Sequence, residues 1–280
     1  MLKTGINPLK SSKMQMHGIM RKTLVFLIVV VMTMGCSDSL NGELIFIEPG
    51  NSATFNFPYF LFIPDDIPAG KEVFMMVEPN NSGFADDDPQ KHIDKAERNA
   101  SMDYYLGNYL ARHFNLPLMV PVFPRSRSQW KIYTHSLDRD VMLQKDTPLE
   151  RIDLQLIQMF QDARTHLKNR NIKTKDQFLL TGFSASGAFA NRFTLIHPDK
   201  VFAIAAGGLN GLLMLPADSL NEENLIYPIG TFDLKKLTGR AFRKKLFLET
   251  PQYYFMGSED DNDAIPYDDA YDENERQIIY

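Results

Sequence analysis

The sequence predicts an α/β fold built on a mostly parallel sheet covered by helices on both faces. Two observations predict it. Apolar runs of strand length, at residues 116–123, 178–181 and 201–206, are continuous rather than alternating, as expected of strands buried on both faces. These runs alternate with segments of helical spacing, the order that wraps crossover helices around a parallel sheet.

Before the sheet begins, Arg21-Lys22 precedes an apolar run, residues 24–32, that is too short to span a bilayer and ends at Gly35-Cys36. Residues 1–35 read as a signal peptide, with Met14, Met16 or Met20 as the working start. The Gly-Cys junction resembles a bacterial lipobox, although Thr33 stands where leucine is usual. That resemblance implies acylation of Cys36, the only cysteine, and Ser37 after it implies sorting to the outer membrane or periplasmic face of the envelope. Residues 36–52 read as a tether and first strand, and 53–280 as the main domain.

Within the domain, 44–47 and 53–64 are aromatic-rich and read as the opening antiparallel strands. Residues 72–78 are the next strand and end in the loop Pro79-Asn-Asn-Ser-Gly83. Helical spacing follows across Ile93, Ala96, Ala100, Tyr104 and Leu110. The clearest helix spans 148–169, with Thr147 as cap, Pro148 at its first position and Glu150 closing a capping box. Its apolar face is Ile152, Leu156, Met159, Phe160, Ala163 and Leu167. A strand to Thr181, a helix to about His197, a strand at 201–206 and a last strand at 252–256 complete the pattern. With 44% hydrophobic residues the chain can bury a full core, and a net charge of −5 without a basic stripe gives no support for nucleic-acid binding.

At 178–187 the chain reads Phe-Leu-Leu-Thr-Gly-Phe-Ser-Ala-Ser-Gly, a strand that breaks at Gly182 and places Ser184 at the head of a helix. A serine hydroxyl becomes a useful nucleophile on such a turn, where a base can reach it and free backbone amides face the developing oxyanion. Small neighbours are needed there, and Gly182 and Ala185 supply two. Ser186 occupies the position two after the nucleophile, with Gly187 one residue further on, and is the rival hydroxyl.

This order of elements, from Ala53 to Pro266, resembles the α/β-hydrolase superfamily. Within it the loop 79–83 and the Gly-Phe-Ser-Ala-Ser-Gly turn look like secreted esterase and polyester-depolymerase-like members. The resemblance implies a three-layer α/β-hydrolase fold with Ser184 as nucleophile and an oxyanion hole from the backbone amide of Ala185 and one of Asn80, Asn81 or Ser82, of which Asn81 is preferred because Gly83 lets the loop turn sharply. It implies an acid in the loop 257–266, where counting from Gly257 gives Asp260 and counting back from Ile265-Pro266 gives Asp263. The spacing of Asp260, Asp261 and Asp263 lacks the glycine and pattern of an EF-hand. No metal or organic cofactor is implied.

The base is the exception. In this family histidine follows the acid, and none follows Asp263 among His17, His92, His113, His135, His166 and His197. The resemblance implies a final strand, helix and histidine loop absent from these 280 residues, so the chain is read as truncated at its C-terminus. His135 precedes the elbow; with Trp130 and Tyr133 it forms a loop after a strand end, the mixture of flat apolar and donor groups that lines substrate pockets. The expectation is a lipid-anchored serine hydrolase acting on a small-molecule ester. A noncatalytic envelope lipoprotein or remnant, and a serine peptidase of the same fold, are the alternatives.

Overall fold

The structure is a computed structural model that describes residues 41–81, 83–209, 211–261 and 264–280, and residues 41–280 form one compact unit. A seven-stranded sheet runs through it: β1 (Gly42–Ile47), β2 (Tyr59–Pro64), β3 (Met76–Val77), β4 (Leu118–Pro121), β5 (Phe178–Phe183), β6 (Val201–Gly207) and β7 (Gln252–Phe255). Their order is β1-β2-β4-β3-β5-β6-β7. β2 is antiparallel to β1 and to β4, and every other pairing is parallel. The fold is three-layer α/β. The carboxyl ends of β3 to β7 thus share one edge, where open parallel sheets place their ligands.

The helices are α1 (Pro89–Ser101), α2 (Leu106–Phe114), α3 (Arg139–Met142), α4 (Ile152–Lys168), α5 (Ala185–Ile196), α6 (Leu234–Thr238), α7 (Lys244–Glu249) and α8 (Glu273–Ile279). Alternation along β2 sorts the layers: Tyr59, Leu61 and Ile63 join Leu156, Phe160, Phe189 and Phe193 of α4 and α5 in one core. α1 packs on β2 and β4, and α2 on β5.

Several element boundaries differ from the sequence expectation, among them the strand expected at 53–64, which begins at Tyr59. The segment expected as one helix from Ile93 to Leu110 is two, because Met102 turns extended and caps α1, and Tyr104 is exposed rather than buried. The helix expected from Pro148 starts at Ile152 instead, with Arg151 in the left-handed region at φ 50°. Thr147 and Glu150 do not cap it; the Gln155 amide reaches back to the carbonyls of Pro148 and Glu150, and Glu150 accepts from the Asp146 amide. The strand expected at 72–78 divides into a short ladder, Glu72–Val73 beside Lys173–Thr174, and β3. A further helix, α8, lies beyond the last expected strand and is closed by a capping box between Asp272 and Glu275.

His197, at the end of α5, is buried and bonds the Asp153 carboxylate at 2.7 Å. Burial alone would raise the Asp153 carboxyl; the bonds from His197 and Arg151 outweigh it and hold it at about 2. His197 is thereby spent on joining α4 to α5.

Candidate active site

β5 ends at the turn that carries Ser184. The Ser184 backbone sits at φ 59°, ψ −125°, a conformation that costs a side-chain-bearing residue of order 1–3 kcal/mol and persists only where its surroundings impose it. They do so from both sides: the Ser184 amide donates to Gly207 O of β6 at 3.0 Å, and its carbonyl accepts from Ala188 N at 3.1 Å. The turn is tight enough that a Cβ at Gly182 would meet Ser186 O at 2.3 Å, and one at Gly187 would meet Gly207 O at 2.9 Å. Gly187 therefore meets the need for a small residue against the neighbouring strand. Ser186 is free to be a serine, and its hydroxyl accepts from Phe183 N and donates to Phe183 O, both at 2.9 Å. That leaves Ser184 as the unencumbered hydroxyl, half-buried at the sheet edge with its side chain hydrogen-bonded to none of the described residues.

The loop after β3 reaches this turn. Asn81 Nδ2 donates to Phe183 O at 3.2 Å and its Oδ1 accepts from Gly83 N at 3.0 Å, so the loop bends back with Gly83 at φ 71°. Ala185 stands at the first position of α5. Asn80, also a candidate for the second oxyanion amide by sequence, is fully buried, and its side chain pairs with the backbone of Phe123 as a strand would, Oδ1 accepting at 2.8 Å and Nδ2 donating at 3.2 Å. The sequence gives no sign of the role of Glu78, whose buried carboxylate accepts from Gly107 N at 2.7 Å and is pushed up by burial to about 7. Both residues hold the loop in place, and the signal available in sequence was only their position after an apolar strand.

Asp260 follows β7, two strands along from β5 on the same carboxyl edge, and is exposed; its amide donates to Gly257 O at 3.2 Å. Asp263 lies outside the described residues, as do His17 and Cys36. Among the described residues no helix is long and apolar enough to cross a membrane.

Of the three residues expected to line a substrate pocket, Trp130, Tyr133 and His135, only Trp130 is exposed. The Tyr133 ring lies under the Arg125 guanidinium at 3.5 Å, and Arg125 is itself tied to Asp269 at 2.7 Å. His135 is fully buried, with Nε2 2.9 Å from Phe123 O and 3.4 Å from Asn80 Nδ2, and with the His92 ring centroid at 5.6 Å. It packs against the strand end rather than facing an open cleft. Burial first, and then the neighbouring His92, pull its pKa down to about 3.

A pH effect follows. In the unfolded chain this imidazole takes up its proton near pH 6.5, whereas the folded one resists until about 3, so its stabilisation is whole above pH 6.5 and is lost as the pH falls through that window. His135→Gln keeps an N–H for Phe123 O. Between about pH 7 and pH 5 it is expected to lose less stability than the wild type, by roughly 2 kcal/mol in urea melts. Equal losses in the two proteins would show that His135 is not shielded from protonation.

No family model matches the chain, and no curated protein matches it. Solved structures do. Poly(aspartic acid) hydrolase-1 from Sphingomonas sp. KT-1 aligns at 15% identity and a TM-score of 0.49, over 81% of this chain and 74% of that one. A thermostable esterase aligns at 14% and 0.41, over 78% and 56%. The poly(3-hydroxybutyrate) depolymerase LpqC from Bordetella parapertussis aligns at 15% and 0.46, over 78% and 66%. The likeness is one of fold. Function is accordingly argued from Ser184 and its neighbours.

Proposed function

We propose that this chain is a serine hydrolase of the bacterial cell envelope that cleaves carboxylic esters, held at a membrane by acylation of Cys36. The observation that carries it is the imposed backbone of Ser184 at the β5–α5 turn. In this reading Ser184 Oγ attacks the ester carbonyl and its proton passes to a base. The amides of Ala185 and Asn81 hold the oxyanion, and the C–O bond then breaks as the alcohol takes the proton. Water releases the acyl group by the same route. The imidazole oriented by Asp260, or by Asp263, comes from outside the described residues, because each described histidine is engaged elsewhere. His92, His135 and His197 are buried in hydrogen bonds, His166 faces Asp162, and His113 stacks on Tyr109.

An exposed apolar strip supports an ester with an apolar acyl part. Phe183 precedes the nucleophile at 52% exposure, and Met256, beyond the end of β7, is equally open. Phe183 covers Gly208, where a Cβ would meet its ring at 2.5 Å, and approaches the Phe255 ring at 6.3 Å.

Covalent capture tests the reading. A fluorophosphonate added to the full chain, with imidazole as external base, should label the peptide containing Ser184 and no other serine. Labelling elsewhere, or none at all, would favour a noncatalytic envelope protein.

A further inference from the structure

A cavity of about 660 Å³ opens on the edge of the sheet opposite Ser184. Its walls come from the last turns of α4 and from the ladder Glu72–Val73 with Lys173–Thr174, which immediately precedes β3 and β5. It therefore sits at the amino ends of the parallel strands, whereas Ser184 follows the carboxyl end of β5.

Three cations line it, Arg164, Lys168 and Lys173, over a floor that includes Ile172. Arg164 is fully occupied by Gln161, Thr174 and Asp176. The carboxylate in the wall, Glu72, is paired with Lys175 at 2.8 Å. Lys168 and Lys173 are exposed and have no carboxylate within ion-pair distance among the described residues. Asp65 and Asp66, on the turn after β2, are outside the lining. The cavity thus offers two uncommitted ammonium groups, a receptor for an anion.

The chain enters the fold at the same edge. Gly42 pairs with Pro64 at the amino-end side of the parallel strands, and Glu43 pairs with Arg170, next to Asn171 in the cavity wall. Five peptide units separate Cys36 from Asn41, a reach of at most about 18 Å. Exposed carboxylates stand at both edges: at this one Glu43, Glu72 and Asp176 are paired with Arg170, Lys175 and Arg164, and Asp65 and Asp66 lie on the turn after β2, while Asp87 after β3 and Glu259, Asp260 and Asp261 after β7 stand at the other. The two ammonium groups left over in the cavity give an anionic surface its attraction to this edge.

We infer that this cavity receives the phosphodiester headgroup of an anionic phospholipid and seats the domain on the membrane with the Ser184 edge turned away. The inference rests on the Cys36 anchor of the proposed function, and its test separates the two.

Full-length Cys36→Ser protein, which cannot be acylated there, is sedimented with phosphatidylcholine vesicles and with vesicles containing 30% phosphatidylglycerol. Residues 1–35 carry Lys3, Lys10, Lys13, Arg21 and Lys22 and add their own preference for the anionic vesicles, the same in every variant, so the cavity is read from the difference between variants. At about fivefold per lysine near an anionic surface, the two cavity lysines should contribute roughly a 25-fold factor to the preference for the phosphatidylglycerol vesicles, falling with added salt. Lys168→Glu/Lys173→Glu should lower the preference by at least that factor with thermal melting unchanged, while Lys235→Glu/Lys236→Glu, on α6 and outside the cavity, should retain it. No preference, or a preference insensitive to the 168/173 pair, overturns the inference. Displacement by millimolar inorganic phosphate at constant ionic strength would overturn the lipid assignment in favour of the free ion. Palmitate labelling of the wild type is scored separately. Missing label with the preference intact refutes the anchor alone, and label without preference refutes the cavity alone.

Discussion

Ser184→Ala is expected to reduce ester turnover and fluorophosphonate capture to the rate of the buffer, while Ser186→Ala keeps turnover within about tenfold of the wild type. The two hydroxyls are only two residues apart, yet they sit in opposite circumstances. Ser184 Oγ is half-open at the carboxyl edge of the sheet on a backbone strained to present it. Ser186 Oγ is buried and closes the turn by bonding both backbone groups of Phe183. Loss of that bridge costs roughly 1–2 kcal/mol of stability, so the Ser186 variant should melt earlier without losing its chemistry. Ser184→Ala removes no side-chain hydrogen bond among the described residues and should melt as the wild type does. Steady-state hydrolysis of a p-nitrophenyl ester, with a melting curve for each variant, checks both statements. The opposite assignment of losses would move the nucleophile to Ser186.

The difference in legibility between the sheet and the site has a physical cause. Strands β5 and β6 are continuous apolar runs, β5 buried along most of its length and β6 buried at Val201, Ile204, Ala206 and Gly207 although Phe202 is exposed, and such runs have few alternatives, so their bounds are close to those expected from sequence. The helix at Pro148 misleads because Thr147, Pro148 and Glu150 form a local signal that a tertiary bond overrides. Gln155 captures the carbonyls of Pro148 and Glu150, and the helix begins after them. The turn at Gly182–Ser184 is legible because it demands a small residue close to a strand end, where a Cβ at Gly182 would meet Ser186 O at 2.3 Å. Asn80 and His135 were not legible in their structural roles. Their partners lie 43 and 12 residues away on the backbone of Phe123, and no spacing in the sequence encodes that pairing. A loop rich in aromatic and cationic groups looks alike in sequence whether it lines a cleft or, as with Tyr133 beneath Arg125, packs on itself.

The same geometry makes external imidazole the strongest lever on activity. Hydrolysis at Ser184 needs a proton removed from Oγ and a proton delivered to the departing alcohol, and assistance by a positioned base is worth roughly 10²–10⁴-fold at each step. Among the described residues no histidine is hydrogen-bonded to Ser184, and His135, the histidine in the loop after β4, is buried with its pKa held near 3. At neutral pH it is unprotonated but shut in against Phe123 O, so it serves neither step. The 280-residue chain alone is therefore expected to turn over p-nitrophenyl esters feebly. Added imidazole should raise the Ser184-dependent part of the rate, measured against Ser184→Ala to subtract hydrolysis by imidazole itself. The increase should follow the neutral fraction of imidazole as pH rises through about 7. His135→Ala should leave this rescued rate in place. Ordinary enzyme rates without imidazole, lost on His135→Ala, would make His135 the base and require it to leave its buried position during the reaction.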